Sequence, residues 1–298
     1  NVPSNKFELW PWMESDRLTD SVFREFYSER DVVHEERRLR TESTPTGEFQ
    51  EQFDSMFWVS SPYAWPVIGW PTDLNSYTRE QAQEYFDIYY RPNNLVGIVV
   101  GDFDPEAAKP GIPAYFGRLS RGAIAPPPVV TPEVPQKAEM RMYAECDCQP
   151  QIEVRYHTVP FNHEDSFALD MLSGILNGRT GRLYKNMVEG KQIASSASAG
   201  TSGFGGPAKY AGYFSFAAET KGDAKPEQIE DAWYEILADL QKNEVPEREL
   251  QKVKNQVAAD SYRRLQSNFF LLVQLGLFEA LGERRDQADA RIVDTFQH

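Results

Sequence analysis

Residues 121–136 read RGAIAPPPVVTPEVPQ, with five prolines. Proline has no backbone N–H and a fixed φ, so neither a helix nor a central strand can run through this stretch. A segment of this kind is extended and semi-rigid. It divides a chain of 298 residues, a length suited to about two domains. We place the first domain at 1–121, the linker at 122–137 and the second domain at 138–298.

Hydrophobic periodicity supplies the elements on either side. Leu18, Val22, Phe26 and Val33 recur near helical spacing, so 14–42 is expected to be one long helix ending at TPTGE. SSPYAWPVIGWPTDLNSYT is a loop with room for short helical turns. TREQAQEYFDIYYRP is a helix in which Thr78 is the N-cap, Gln81 completes a capping box, and Pro92 lies past the end. NNLVGIVVGDF reads as a buried strand, and DPEAAKPGIPAYFG as a helix broken by its prolines and glycine. In the second half KAEMRMYAE, PQIEVRYHTV and YAGYFSFAAET alternate as strands do. HEDSFALDMLSGILNG is a helix ending at Gly178, and GRLYKNMVEGKQ is a helix running into the strand IASSASAGTS. Ile229, Trp233, Ile236, Leu237 and Leu240 line one side of an amphipathic helix, which two further helices follow. Long helices mixed with hairpin-like strands indicate an α+β architecture rather than a doubly wound sheet.

Charge and cysteine content narrow the function. The net charge is −14 and the isoelectric point about 4.8. That balance argues against nucleic acid or an anionic membrane surface as a partner. No apolar run reaches the roughly 18 residues that a membrane span needs. The N-terminal NVPSNKFELW lacks a basic and then apolar signal-peptide pattern. The two cysteines, Cys146 and Cys148, form a C-x-C pair with no second pair to complete a zinc site, and are expected to be small residues on one face of a strand.

The densest cluster of charge is FYSERDVVHEERRLR, residues 26–40. Residues at i, i+4 and i+7 share a helix face, so Glu29 and Glu36 bracket Val33 on one side. Glu35 is turned away by about 100°. A carboxylate of this kind is able to ligate zinc, and a second one nearby to support it.

SERDVVHEERRLR resembles the E-R-x-x-V-x-x-E segment of the pitrilysin–insulinase family of zinc metallopeptidases, which includes the mitochondrial processing peptidase. Further segments are similar in the family's order: ESDRL, SPYAWPVIGWPTDLNSYT, YFDIYYRPNNLVGIVVGDFDP and LNGRTGRLYKNMVEGKQIASSASA. The resemblance implies two homologous αβ sandwich domains, each a mainly antiparallel sheet with helices on one face, the first of them N-terminally incomplete. It implies that Glu36 is the third zinc ligand and Glu29 the supporting acid of an endopeptidase acting on unstructured peptides.

Two departures qualify these expectations. The family's H-x-x-E-H motif, two His ligands and a general base, is absent: His34, His157, His163 and His298 have no partner at that spacing. The chain is therefore expected to be a piece of a longer protein, to bind no zinc by itself and to be inactive alone. Self-sufficient members also carry an Arg and, seven residues on, a Tyr that bind substrate and stabilise the oxyanion. Val188 and Ser195 occupy those positions here. This pattern resembles the zinc-bearing subunit of a heterodimer whose homologous second subunit carries the Arg/Tyr pair. The short two-subunit members it resembles are bacterial and often periplasmic. A non-catalytic structural or substrate-capturing subunit of the same family is the alternative, and a fragment serving only as a binding module is a third.

Overall fold

The computed structural model describes residues 1–202 and 208–281. It comprises two compact units, Asn1–Cys146 and Asp147–His298.

The first unit begins with α1 (Leu9–Thr19). The chain then leaves helical geometry at Asp20 (φ −134°, ψ 64°) and re-enters it in α2 (Phe26–Arg37), which runs into a π-helical turn over Arg38–Glu42. Residues 14–42, expected as one helix, are thus interrupted. Asp20 and Ser21 are residues whose side chains compete for backbone hydrogen bonds. Phe23 turns from the helical path to meet Phe86 edge-on at 6.0 Å. There follow α3 (Gly47–Phe57), α4 (Pro71–Ser76) and α5 (Arg79–Tyr89). Thr78 caps α5 through the expected reciprocal bonds with Gln81. Pro71 starts α4 at the first helical position, where its missing N–H costs nothing. The Pro- and Gly-broken stretch forms two short helices, α6 (Pro105–Ala108) and α7 (Gly111–Phe116). α7 packs on α1 through Trp10 and Phe116, and Tyr115 donates a 2.6 Å hydrogen bond to Glu8.

Two expected strands of this region do not join a sheet. Residues 95–100 and 137–145 form no regular element, neither pairs with a described strand, and Val96 and Tyr143 are 61% and 79% exposed. Alternation marks a face but does not supply a hydrogen-bonding neighbour. Cys146 and Cys148 also lie outside any strand; they are disulfide-bonded, and the chain has no other cysteine.

The second unit carries the antiparallel sheet and its helices. β1 (Gln151–Thr158), β2 (Ala194–Thr201) and β3 (Gly212–Thr220) are ordered β1-β3-β2, both pairs antiparallel. Between β1 and β2 lie α8 (Ser166–Leu176) and a π-helical turn, Tyr184–Gly190. After β3 come α9 (Pro226–Lys242), α10 (Glu247–Leu265) and α11 (Asn268–Leu281). Burial along β3 alternates strictly, with Phe214, Phe216 and Ala218 buried. They meet Ile229, Trp233 and Ile236 of α9 in one core. Phe216 and Trp233 stack at 4.4 Å with ring planes 2° apart, and Trp233 Nε1 donates to the Tyr156 hydroxyl at 3.0 Å. A buried indole N–H without such a partner would cost about 1–3 kcal/mol. The expected amphipathic face of α9 is the one that packs here. Taken with the helices, this sheet makes the chain α+β.

Candidate functional site

α2 forms because its charges suit the helix dipole: Glu29 lies in the first turn, His34 and Arg37 in the last. The helix carries both carboxylates singled out by sequence. Glu29 is exposed and lines a shallow open cleft with Val22, Phe23, Arg24, Glu25 and Phe26. Glu36 sits two turns on, about 10 Å along the axis. Its side chain is 39% exposed, and its Oε1 lies 2.9 Å from Nη1 of Arg40.

The residue after Glu36 holds this end of the helix in place. Arg37 is 4% exposed. Nη1 and Nη2 donate to the two carboxylate oxygens of Glu51 on α3 at 2.5 and 2.8 Å, and Nη1 also donates to the Gly69 carbonyl at 3.0 Å. Its Nε lies 3.3 Å from Glu42. The hydrogen bond to Glu51 raises the Arg37 guanidinium above its ordinary value, over the opposing effect of burial. Gly69 has φ +85°, a left-handed conformation that suits glycine. One guanidinium thus clamps α2 to α3 and to the loop before α4. The fork geometry of arginine makes such a three-way contact possible. No sequence pattern announces it, because Glu51 and Gly69 are distant in sequence. The π-helical turn that follows is a feature often found beside functional sites.

In the second unit, Val188 lies in the π-helical turn and packs against the core. Ser195 is exposed on β2 at a register shift between Ala194 and Ser196, where a bulge sets it out of the ladder. Its hydroxyl donates to the Glu219 carboxylate at 2.9 Å. Arg182, close by in sequence, is committed elsewhere: Nη2 donates to Glu249 at 2.9 Å and Nη1 to Asp239 at 2.7 Å, tying α10 to α9.

Zinc fits this arrangement only in part. Glu36 is a half-exposed carboxylate of the donor type that zinc accepts. Among the described residues, however, no group of three or more His, Cys, Asp and Glu is placed to hold a metal ion. His298 lies outside the described residues. No described helix is long and apolar enough to cross a membrane.

Comparisons with known proteins bear on the family and the fold. The family described as Peptidase M16 inactive domain matches residues 76–257. Zinc protease PqqE of Helicobacter pylori is 29% identical over 248 residues, which is 82% of this chain and 55% of that protein. The chain therefore spans about half the length of that relative. A crystal structure of a protease from Helicobacter pylori superposes with a TM-score of 0.89 at 24% identity, over 99% of this chain and 71% of that one. The periplasmic protease PqqL from Escherichia coli gives a TM-score of 0.74 at 18% identity, over 99% of this chain and 34% of that one.

Proposed function

The chain belongs to the peptidase M16 family, and on that footing we propose that it is part of a zinc-dependent endopeptidase subunit that hydrolyses unstructured peptides. The observation that carries this reading is α2. It keeps Glu29 and Glu36 on one face, and the buried Arg37 clamp holds the end of the helix beside Glu36. The clamp fixes where the Glu36 end of the helix lies relative to α3. In the full-length protein Glu36 would be one carboxylate ligand of zinc and Glu29 a supporting acid, with the histidine ligands supplied from outside this chain. Zinc, when bound, polarises a peptide carbonyl and lowers the pKa of its water.

The second unit acts, in this reading, as a non-catalytic partner to the first. Val188 is partly buried against the core, and the Ser195 hydroxyl is engaged with Glu219. Neither is a cationic or phenolic donor for an oxyanion. A homologous subunit bearing an Arg and a Tyr would supply them. Removing one such donor typically costs about 10²–10³ in rate, so the full-length subunit alone should be nearly inactive. A periplasmic location is supported by that of the periplasmic protease PqqL and by the Cys146–Cys148 disulfide, a bond that persists in oxidising compartments.

A second reading, a non-catalytic capture or assembly subunit, is favoured by one observation: the matching family description is that of the inactive domain. One experiment separates the two. Full-length wild-type and Glu36→Gln proteins are assayed for bound zinc and for cleavage of an unstructured peptide, each alone and with a homologous Arg/Tyr-bearing subunit. We expect zinc and activity in the wild-type mixture and neither in the variant, while Glu29→Gln loses about 10–100-fold. Unchanged zinc in Glu36→Gln would rule out this ligand. A wild-type mixture without zinc or turnover would overturn the peptidase reading and leave the capture reading. Equal turnover with and without the partner would remove the heterodimer.

A further inference from the structure

The proline-rich connector is fastened by polar contacts: the Gly122 N–H donates to Asn93 Oδ1 at 3.0 Å near its start, and Glu133 is held further along. From Pro127 to Arg141 every residue is exposed except Glu133. Val129, Val130 and Val134 remain 42%, 77% and 46% exposed, while the carboxylate beside them is tucked against the loop after α3. That is the reverse of what burial by hydrophobicity would produce. The cause is a set of three consecutive backbone amides just after α3. Val59 N donates to Glu133 Oε1 at 3.0 Å; Ser60 N and Ser61 N donate to Oε2 at 3.2 and 2.8 Å. The Ser60 side chain completes the contact. Its Oγ donates to the Pro132 carbonyl at 2.8 Å and accepts from Val134 N at 3.0 Å.

The receiving loop is itself held in shape. Trp58 is 5% exposed and packs its ring against Phe57 and Tyr63. Ser61 caps the following turn by accepting from Tyr63 N, and Ser55 Oγ donates to the Ala64 carbonyl. The three amides are therefore aimed before Glu133 arrives, and successive N–H groups of this kind form a concavity suited to an anion. Charge-assisted bonds to a carboxylate are stronger than neutral ones.

We propose that Glu133 is a latch that straps the middle of the connector to the Val59–Ser61 loop. With the latch closed, residues 132–134 are held on the Val59–Ser61 loop, and the prolines between Gly122 and Pro132 span two fixed points. With it open, the stretch beyond Gly122 becomes a longer, semi-rigid tether. A glutamate in a Pro- and Val-rich string reads as a solvated charge in the sequence; here it is the anchor.

Amide hydrogen exchange on the intact protein tests this, comparing wild type with Glu133→Ala. The expected result is that the amides of Val59, Ser60 and Ser61 are protected in the wild type. In the variant they exchange about 10–100-fold faster, the loss expected for charge-assisted bonds. Amides within α3 keep their wild-type rates, which shows that the loss is local. If Glu133→Ala also releases α3, Glu133→Gln, which keeps an acceptor but not the charge, carries the same measurement. Amides at 59–61 that are unprotected in the wild type, or that keep their rates when the carboxylate is gone, overturn the latch.

Discussion

Arg37→Met is the perturbation with the largest calculable consequence near the candidate site. The methionine roughly fills the volume but withdraws the guanidinium from both Glu51 oxygens and from the Gly69 carbonyl. The Glu51 side chain is only 10% exposed, so its carboxylate would be left largely buried without a counter-charge. Breaking a buried pair from one side costs about 3–5 kcal/mol. An exposed pair would cost about 0–1 kcal/mol, and Arg38 with Glu35, both more than 60% exposed, provides that comparison in the same segment. Against a domain stability of about 5–15 kcal/mol, the Arg37 loss is large enough to unfold the first unit at moderate denaturant. The raised pKa of Arg37 makes the sign of its pH dependence simple. A base whose folded pKa is raised stabilises below its unfolded pKa and ceases to only as pH rises through the folded one. The Arg37 contribution is therefore constant across neutral pH. Urea unfolding followed by tryptophan emission gives the midpoint for wild type, Arg37→Met, Glu51→Leu and the double variant. We expect each single variant to lose several kcal/mol and the double variant to recover at least half, since two apolar side chains replace a pair without leaving a buried charge. A loss below about 1 kcal/mol in Arg37→Met, or strictly additive losses, would refute the clamp.

Three further outcomes follow from the second unit and the cysteine pair. Gly174→Ala should destabilise by about 1–3 kcal/mol despite the better helix propensity of alanine. Its new Cβ would lie 2.4 Å from Cγ1 of the fully buried Val253, and Val253→Ala in the same chain should recover part of the loss in urea midpoint. Trp233→Phe removes the donor to Tyr156 as well as part of the stacked ring. It should cost about 1–3 kcal/mol by the same measurement, more than Tyr156→Phe, which removes the hydrogen bond and leaves the stack. Reducing the Cys146–Cys148 disulfide opens only a three-residue loop. Its chain-entropy contribution is at most about 1–2 kcal/mol, so the urea midpoint should move little on adding reductant.

Local signals decided much of this protein. Thr78 and Gln81 specify the start of α5 because a capping box needs only four residues to satisfy its donors. The alternation of YAGYFSFAAET and the stripe Ile229–Trp233–Ile236 specify which faces are buried, because strand and helix periods are properties of the backbone. The spacing of Glu29 and Glu36 puts both on one face of α2 for the same reason. What tertiary structure decided is each feature whose partner is remote in sequence. The helix expected over 14–42 breaks where Phe23 finds Phe86. The segments 95–100, read as a buried strand, and 137–145, read as an alternating one, remain without a ladder, since a strand is completed only by a neighbour. Arg37 looks like one more charge in HEERRLR until Glu51 and Gly69 close around it. Glu133 looks solvated until three amides some seventy residues earlier receive it. Periodicity and caps act within a turn or two of chain, and a residue's sequence carries that information directly. Burial of a charge depends on what the rest of the fold brings to it, and that is written only in three dimensions.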